Sequence, residues 1–212
     1  MSTNAISAFQ PRKRPVQARS TVTVEAISEA TIQVLLSHGA ERLTTTRVAA
    51  RAGVSVGTLY QYYPNKQALL FAVRENHLNS VAAKFEAACE SACHKPLAEM
   101  IREMVEGFVD AKMERADISV ALHRVSADVG GTALIKRVSQ RWRKAVEAML
   151  QTAPDAKSTP DKFAIDMMLA AMGGAMLSLL QATPSSATVR KSREQLVLLC
   201  QSYMAAATAK RI

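Results

Sequence analysis

Cysteine is scarce in this chain. Of its 212 residues only Cys89, Cys93 and Cys200 are cysteine, and an odd, sparse set points to a reducing cytoplasm rather than to a disulfide framework. The basic run Arg12-Lys13-Arg14 has no apolar segment behind it, so the N-terminus does not read as a signal peptide. There is no Walker or dinucleotide glycine pattern, and no Ser/His/Asp or paired-carboxylate arrangement at a workable spacing. His38, His77 and His123 stand apart from one another. Neither catalysis nor a cofactor is expected. Cys89, Cys93 and His94 lie about one turn apart, but only two of them share a helical face and no second cluster accompanies them, so ordinary packing is preferred to a metal or redox site. Alternating strand patterns and internal repeats are also missing. The longest apolar run, 164–180, is about as long as a minimal membrane span. It contains Asp166, Gly173, Gly174 and Ser178, and it reads instead as a buried interface helix, so no membrane partner is expected.

What the chain does have is apolar residues, at 49%, and positive charge, at net +9. The first supports a sizeable core. The second is unevenly placed. Up to residue 74 nine basic residues face three acidic ones, a net +6, whereas the remaining 138 residues carry only +3. A polyanion should therefore dock on the first third.

The apolar period is helical throughout, which makes the fold all-α. Residues 1–17, with Pro11 and Pro15 around the basic triplet, read as a flexible basic arm. A helix is expected from Ala18 to His38, ended by Gly39. A short one runs from Thr44 or Thr45 to Ala52, ended by Gly53. Another is capped by Ser55 and stopped by Pro64, and Asn65 caps the next. Further helical patterns cover about 82–93, 97–112, 118–127, 132–151, 161–181 and 189–209, punctuated by Pro96, Gly130-Gly131, Pro154, Pro160 and Pro184. The expected organisation is a three-helix unit at 18–75 followed by a six-helix domain at 76–212.

Two short helices around a glycine turn, at about 43–62, have the form of a helix-turn-helix. Gly53 suits the left-handed turn, Ala49 and Ala52 allow a close crossing, and Leu59 anchors the second helix. Ser55, Val56, Gly57, Thr58 and Gln61 then stand at the end that enters a major groove. Gln61 has the chemistry to read a base edge, Thr58 a base or phosphate, and Val56 a thymine methyl. Thr45, Thr46, Tyr60 and Tyr63 offer hydroxyls to phosphates, and Lys66 adds charge in the first turn of the following helix. At least one of Tyr60, Tyr62 and Tyr63 should instead close the small core. A glycine at position 57 costs helix stability, which is tolerable where a side chain would collide with DNA.

The run LTTTRVAARAGVSVGTLYQYYPNKQALL, 43–70, closely resembles the DNA-binding signature of the TetR (tetracycline-repressor) family. The resemblance extends over about 18–75; beyond it only helix number and length agree. It implies Thr45, Val56, Gly57, Tyr60, Tyr63 and Lys66 as DNA contacts, with Arg19 as a basic backbone contact. It further implies a ligand-binding body whose last two helices form a four-helix homodimer seam. Ala171, Gly174, Leu177, Leu196, Leu199 and Tyr203 are the expected seam residues. Met104, Phe108, His123, Trp142, Met168 and Met172 are the expected lining of a deformable apolar pocket. The implied protein is a cytoplasmic, nucleoid-associated repressor, homodimeric on an approximately palindromic double-stranded operator and released by an apolar or amphipathic small molecule. The competing readings are an activator or nucleoid-type DNA binder without an inducer, a helical enzyme with a basic N-terminus, and a membrane-surface protein that uses the basic arm.

Overall fold

A computed structural model describes residues 18–125, 131–182 and 184–209; the basic arm lies outside the described residues. Nine helices and no strand occur among them: α1 Ala18–Arg42, α2 Thr45–Ala52, α3 Val56–Tyr62, α4 Lys66–Ala92, α5 Leu97–Met113, α6 Ala116–Arg124, α7 Gly131–Leu150, α8 Lys162–Gln181 and α9 Ser186–Thr208. The pattern expected at 82–93 is no separate helix but the second half of α4, because no glycine or proline interrupts Lys66–Ala92. Gly39 adopts φ 76° and ψ 169°. It breaks α1 where the sequence places the stop, and the last residues of that segment, to Arg42, follow a kink rather than a continuous rod. The final helix starts at Ser186, three residues before the apolar period does. The Ser185 side chain accepts a hydrogen bond from the Thr188 amide and so supplies the cap.

The helices group into two units, the described parts of Met1–Leu78 with Asp117–Ile135, and Asn79–Ala116 with Lys136–Ile212. The first unit is built on α1–α3. Ile27, Val34 and Leu35 of α1 meet Val48 and Ala49 of α2, Leu59 of α3, and Leu69 and Val73 of α4. Ile118, Leu122 and Val125 belong to this same core. The segment carrying α6, which the chain-order reading assigns to the larger domain, thus groups in space with the helix-turn-helix. A hydrogen bond of 2.8 Å between His77 and Ser119 ties α4 to α6. Thr31, a buried polar residue, satisfies its hydroxyl on the Ile27 carbonyl one turn back.

The second unit packs apolar stripes at three- and four-residue steps. On α5 these are Met100, Ile101, Met104, Val105 and Phe108; on α8, Ile165, Met168, Met172 and Met176; on α9, Leu196, Val197, Cys200 and Met204. At Gly107 α5 passes so close to α4 that a Cβ there would collide with the Ala88 Cβ. Salt bridges lace the outside: Arg141 grips Glu86 bidentately and also reaches Asn79, Arg143 holds Asp166, and Arg193 holds Asp110.

Candidate nucleic-acid interface

Three local devices set the helix-turn-helix. Thr44 caps α2 by accepting from the Arg47 amide at 3.3 Å. Gly53 then takes φ 68° and ψ 28°, the left-handed conformation that costs an L-residue with a side chain ~1–2 kcal/mol. Its amide and that of Val54 return to the Ala50 and Ala49 carbonyls, so the bend leaves no orphaned donors. Two residues later Ser55 caps α3 by accepting from the Thr58 amide at 2.9 Å, while its hydroxyl also pairs with that of Thr58. Asn65 caps α4 through the Ala68 amide at 2.8 Å.

Leu59 is fully buried and pins α3 to the core, which turns Gly57, Tyr60 and Gln61 outward and leaves Val56 and Thr58 half-buried. Gly57 is exposed, and a Cβ there would meet only the Ser55 hydroxyl, at 3.7 Å. Nothing among the described residues requires a glycine there. Tyr60 is 42% exposed, and its hydroxyl lies 3.2 Å from the Thr45 hydroxyl. Thr45 and Tyr60 thus bring one hydroxyl from each of α2 and α3 to a single point, while Thr46 is exposed nearby in sequence.

Two contact assignments change. Tyr63 is 3% exposed, and burial raises its hydroxyl pKa above the ordinary tyrosine value. It belongs to the core and has no face to offer a phosphate; it is the tyrosine that closes the core. The Lys66 ammonium donates to the Ala40 carbonyl at 2.6 Å, just past the Gly39 kink, so part of its donor capacity braces the end of α1. Arg47 and Arg51 likewise donate to the Arg42 carbonyl and the Gln33 side chain, both at 2.6 Å. The side chain of Arg19 lies outside the described residues.

In the second unit Met104, Phe108, Met168 and Met172 are all buried. Trp142 joins Phe108 and Phe85, with ring centroids 5.5 Å and 5.3 Å from its own, and Phe85 and Phe108 are 5.9 Å apart, edge to face. Beside this triangle stands the Lys112 ammonium, 6.0 Å from the Phe108 centroid and 5.9 Å from that of Trp142. Phe85 and Lys112 escaped the sequence reading. The available signal was a lone lysine continuing the apolar stripe Met104, Phe108 at the next four-residue step. His123, expected in this pocket, is exposed and belongs to the first unit. Its neighbour Leu122 takes the inward position on α6, which leaves His123 on the exposed side.

On α8 and α9 a second stripe is left bare. Phe163 is 69% exposed, and Met167, Ala170, Ala171, Gly174 and Ala175 are exposed with it; Leu198, Leu199 and Tyr203 are exposed on α9. Leu177 is half-buried. Leu196 is the exception among the expected seam residues: it faces its own core, because the three-residue step to Leu199 carries it round to the other edge of the helix. No group of three or more potential metal ligands occurs among the described residues. The helix Lys162–Gln181 is long and apolar enough to cross a membrane by composition alone, yet one face of it is a packed stripe.

Residues 27–73 match the family model for bacterial regulatory proteins of the tetR family, and residues 96–204, just over half of the chain, match the tetracyclin repressor-like C-terminal domain. A curated relative, the nucleoid occlusion factor SlmA of Pasteurella multocida (strain Pm70), is 36% identical over 67 residues, a stretch covering about a third of each chain. The fold is similar to that of a tetR-family transcriptional regulator from Streptomyces coelicolor, with TM-score 0.67 and 19% identity over 88% of this chain and 82% of that one. It is also similar to the fatty acid degradation regulator FadR from Bacillus halodurans, with TM-score 0.65 and 17% identity over 87% of this chain and 96% of the other. With a glycine-turned helix-turn-helix in front and a matching helical body behind, the chain belongs to the TetR family of DNA-binding transcriptional regulators.

Proposed function

We propose that the protein is a homodimeric repressor that binds an approximately palindromic operator and is released by a small molecule bound in its body. The observation that supports it most is α3 itself: Leu59 holds it, Gly57 is bare for no internal reason, and Gln61 and Tyr60 stand on its free side. Each subunit lays Val56–Tyr62 in a major groove. Val56, Thr58 and Gln61 read base edges, while Thr45, Thr46 and Tyr60 position the helix on phosphates. The exposed apolar stripe of α8 and α9 supports self-association. Gly174 has nothing within 4 Å of where its Cβ would be, so, like Gly57, it is small without an internal reason. A DNA partner places the protein in the cytoplasm on the nucleoid.

The body's ligand acts through α6. That helix follows α5 after two residues, and its Ile118 and Leu122, with Val125 just beyond its end, are built into the core that holds α3. A shift of α6 therefore changes the support of the reading helix, with a coupling of ~1–3 kcal/mol. The match to a nucleoid occlusion factor favours a second reading, a nucleoid-type DNA binder, for which no small-molecule inducer is needed.

Fluorescence anisotropy on DNA upstream of the protein's own gene tests the assignment. Tyr60→Ala should weaken binding on every sequence by roughly tenfold, the loss of a hydrogen bond to a charged group. Unchanged affinity would remove Tyr60 from the interface. A full-length operator complex that no small molecule dissociates would favour the second reading.

A further inference from the structure

We propose that the effector site is centred on Lys112 and takes an apolar carboxylate, its anionic head on the Lys112 ammonium and the Trp142 indole N–H and its apolar part against Phe85 and Phe108. This deepens, and rests on, the effector-controlled reading of the body.

Four observations meet at one place. Lys112 continues the apolar face of α5, where a charge is costly to bury without a partner. It has two aromatic rings at about 6 Å and, among the described residues, no carboxylate. Four acidic groups on the surrounding helices are paired elsewhere: Glu86 with Arg141, Asp110 with Arg193, Glu114 with Lys84 and Asp166 with Arg143. Burial accordingly pushes the Lys112 pKa below the ordinary lysine value, with no opposing charge to restore it. The Trp142 Nε1–H is buried and makes no hydrogen bond, although a buried indole N–H usually finds one. It lies in the same ring against which the Lys112 ammonium stands.

A cationic donor standing against an indole ring, and that ring's own N–H without a partner, are the complement of a carboxylate rather than of a cation. The rings around them suit an apolar body. The other buried side-chain atom without a partner, Glu147 Oε1, is an acceptor. It lies five residues further along α7, about 140° round the helix from Trp142, and so is not part of this pair.

Trp142 is the only tryptophan in the chain, so its emission reports this site alone. The test titrates the full-length protein with dibromostearate and with bromo-octanoate, a long and a short carboxylate whose bromine quenches indole emission on contact. Their methyl esters serve as neutral controls. At least one acid should quench saturably, and its ester should bind about tenfold more weakly or worse. Lys112→Met should lose a similar factor for the acid and little for the ester, while Lys112→Arg should keep most of it. Thermal melts of both variants establish that they are folded. Equal affinity for acid and ester, full affinity in Lys112→Met, or no saturable quenching by either acid would each overturn the assignment. The titration needs no DNA. An operator assay without ligand, run on wild type and Lys112→Met, separates the two claims. Failure of both proteins to bind operator would sink the regulator reading and leave the site standing, whereas retention of operator by both with no carboxylate binding would do the reverse.

Discussion

Replacing Gly57 by alanine should make the protein more stable and worse at its task. Gly57 is the second residue of α3, and a methyl group there would meet only the Ser55 hydroxyl at 3.7 Å, an ordinary contact. Glycine in a helix interior costs ~1 kcal/mol relative to alanine, and in a first turn about half of that. For a chain of this size that smaller gain corresponds to a rise of about 1–2 °C in melting temperature. With α3 laid in a major groove as proposed, the added methyl would press on the DNA, where overpacking costs ~1–3 kcal/mol. Operator affinity should therefore fall between roughly fivefold and a hundredfold. Circular dichroism melts and fluorescence anisotropy measure the two halves on the same preparation. If Gly57→Ala melts lower than wild type, glycine is serving the fold after all. If it melts higher and binds operator as well as before, the free side of α3 is not where DNA lies.

Gly107 is the opposite case: its Cβ would stand 2.4 Å from that of Ala88, so Gly107→Ala should destabilise by ~1–3 kcal/mol, and an unchanged denaturation midpoint would contradict the close α4–α5 crossing. Burial pushes the Cys89 thiol up to about 12 and the Cys200 thiol up to about 11. Both groups therefore remain protonated at pH 8, and one thiol per folded chain, Cys93, should react with a disulfide reagent, rising to three in denaturant; rapid labelling of all three in the native protein would refute this. Leu199→Asp should give a folded monomer by sedimentation, because Leu199 is exposed, whereas Leu196→Asp should unfold the chain, because Leu196 is buried in its own subunit. A Leu199→Asp protein that still sediments as a dimer would move the seam off α9.

The helix-turn-helix was legible because its determinants are local. Thr44, Gly53, Ser55 and Asn65 each act within three or four residues of themselves, and each does in space what its type and position imply. The period of apolar residues likewise sufficed to mark the helices of the body. It could not say which of two apolar stripes on one helix faces inward. Leu196 and Leu199 differ by a turn edge, not by chemistry, and one is in the core while the other is bare. Tyr62 and Tyr63 posed the same ambiguity at the end of α3, and the first unit took Tyr63.

The sequence by itself determined the class of the molecule, all-helical and DNA-reading, since turn, cap and period are short-range properties written in residue type. Tertiary structure alone decided that α6 shares a core with the helix-turn-helix, and that Phe85, Phe108 and Trp142 close around an unpaired Lys112. Those residues are up to 57 positions apart along the chain. Their meeting depends on how helices cross, which is set by the packing of many side chains together and by no pattern within any one helix.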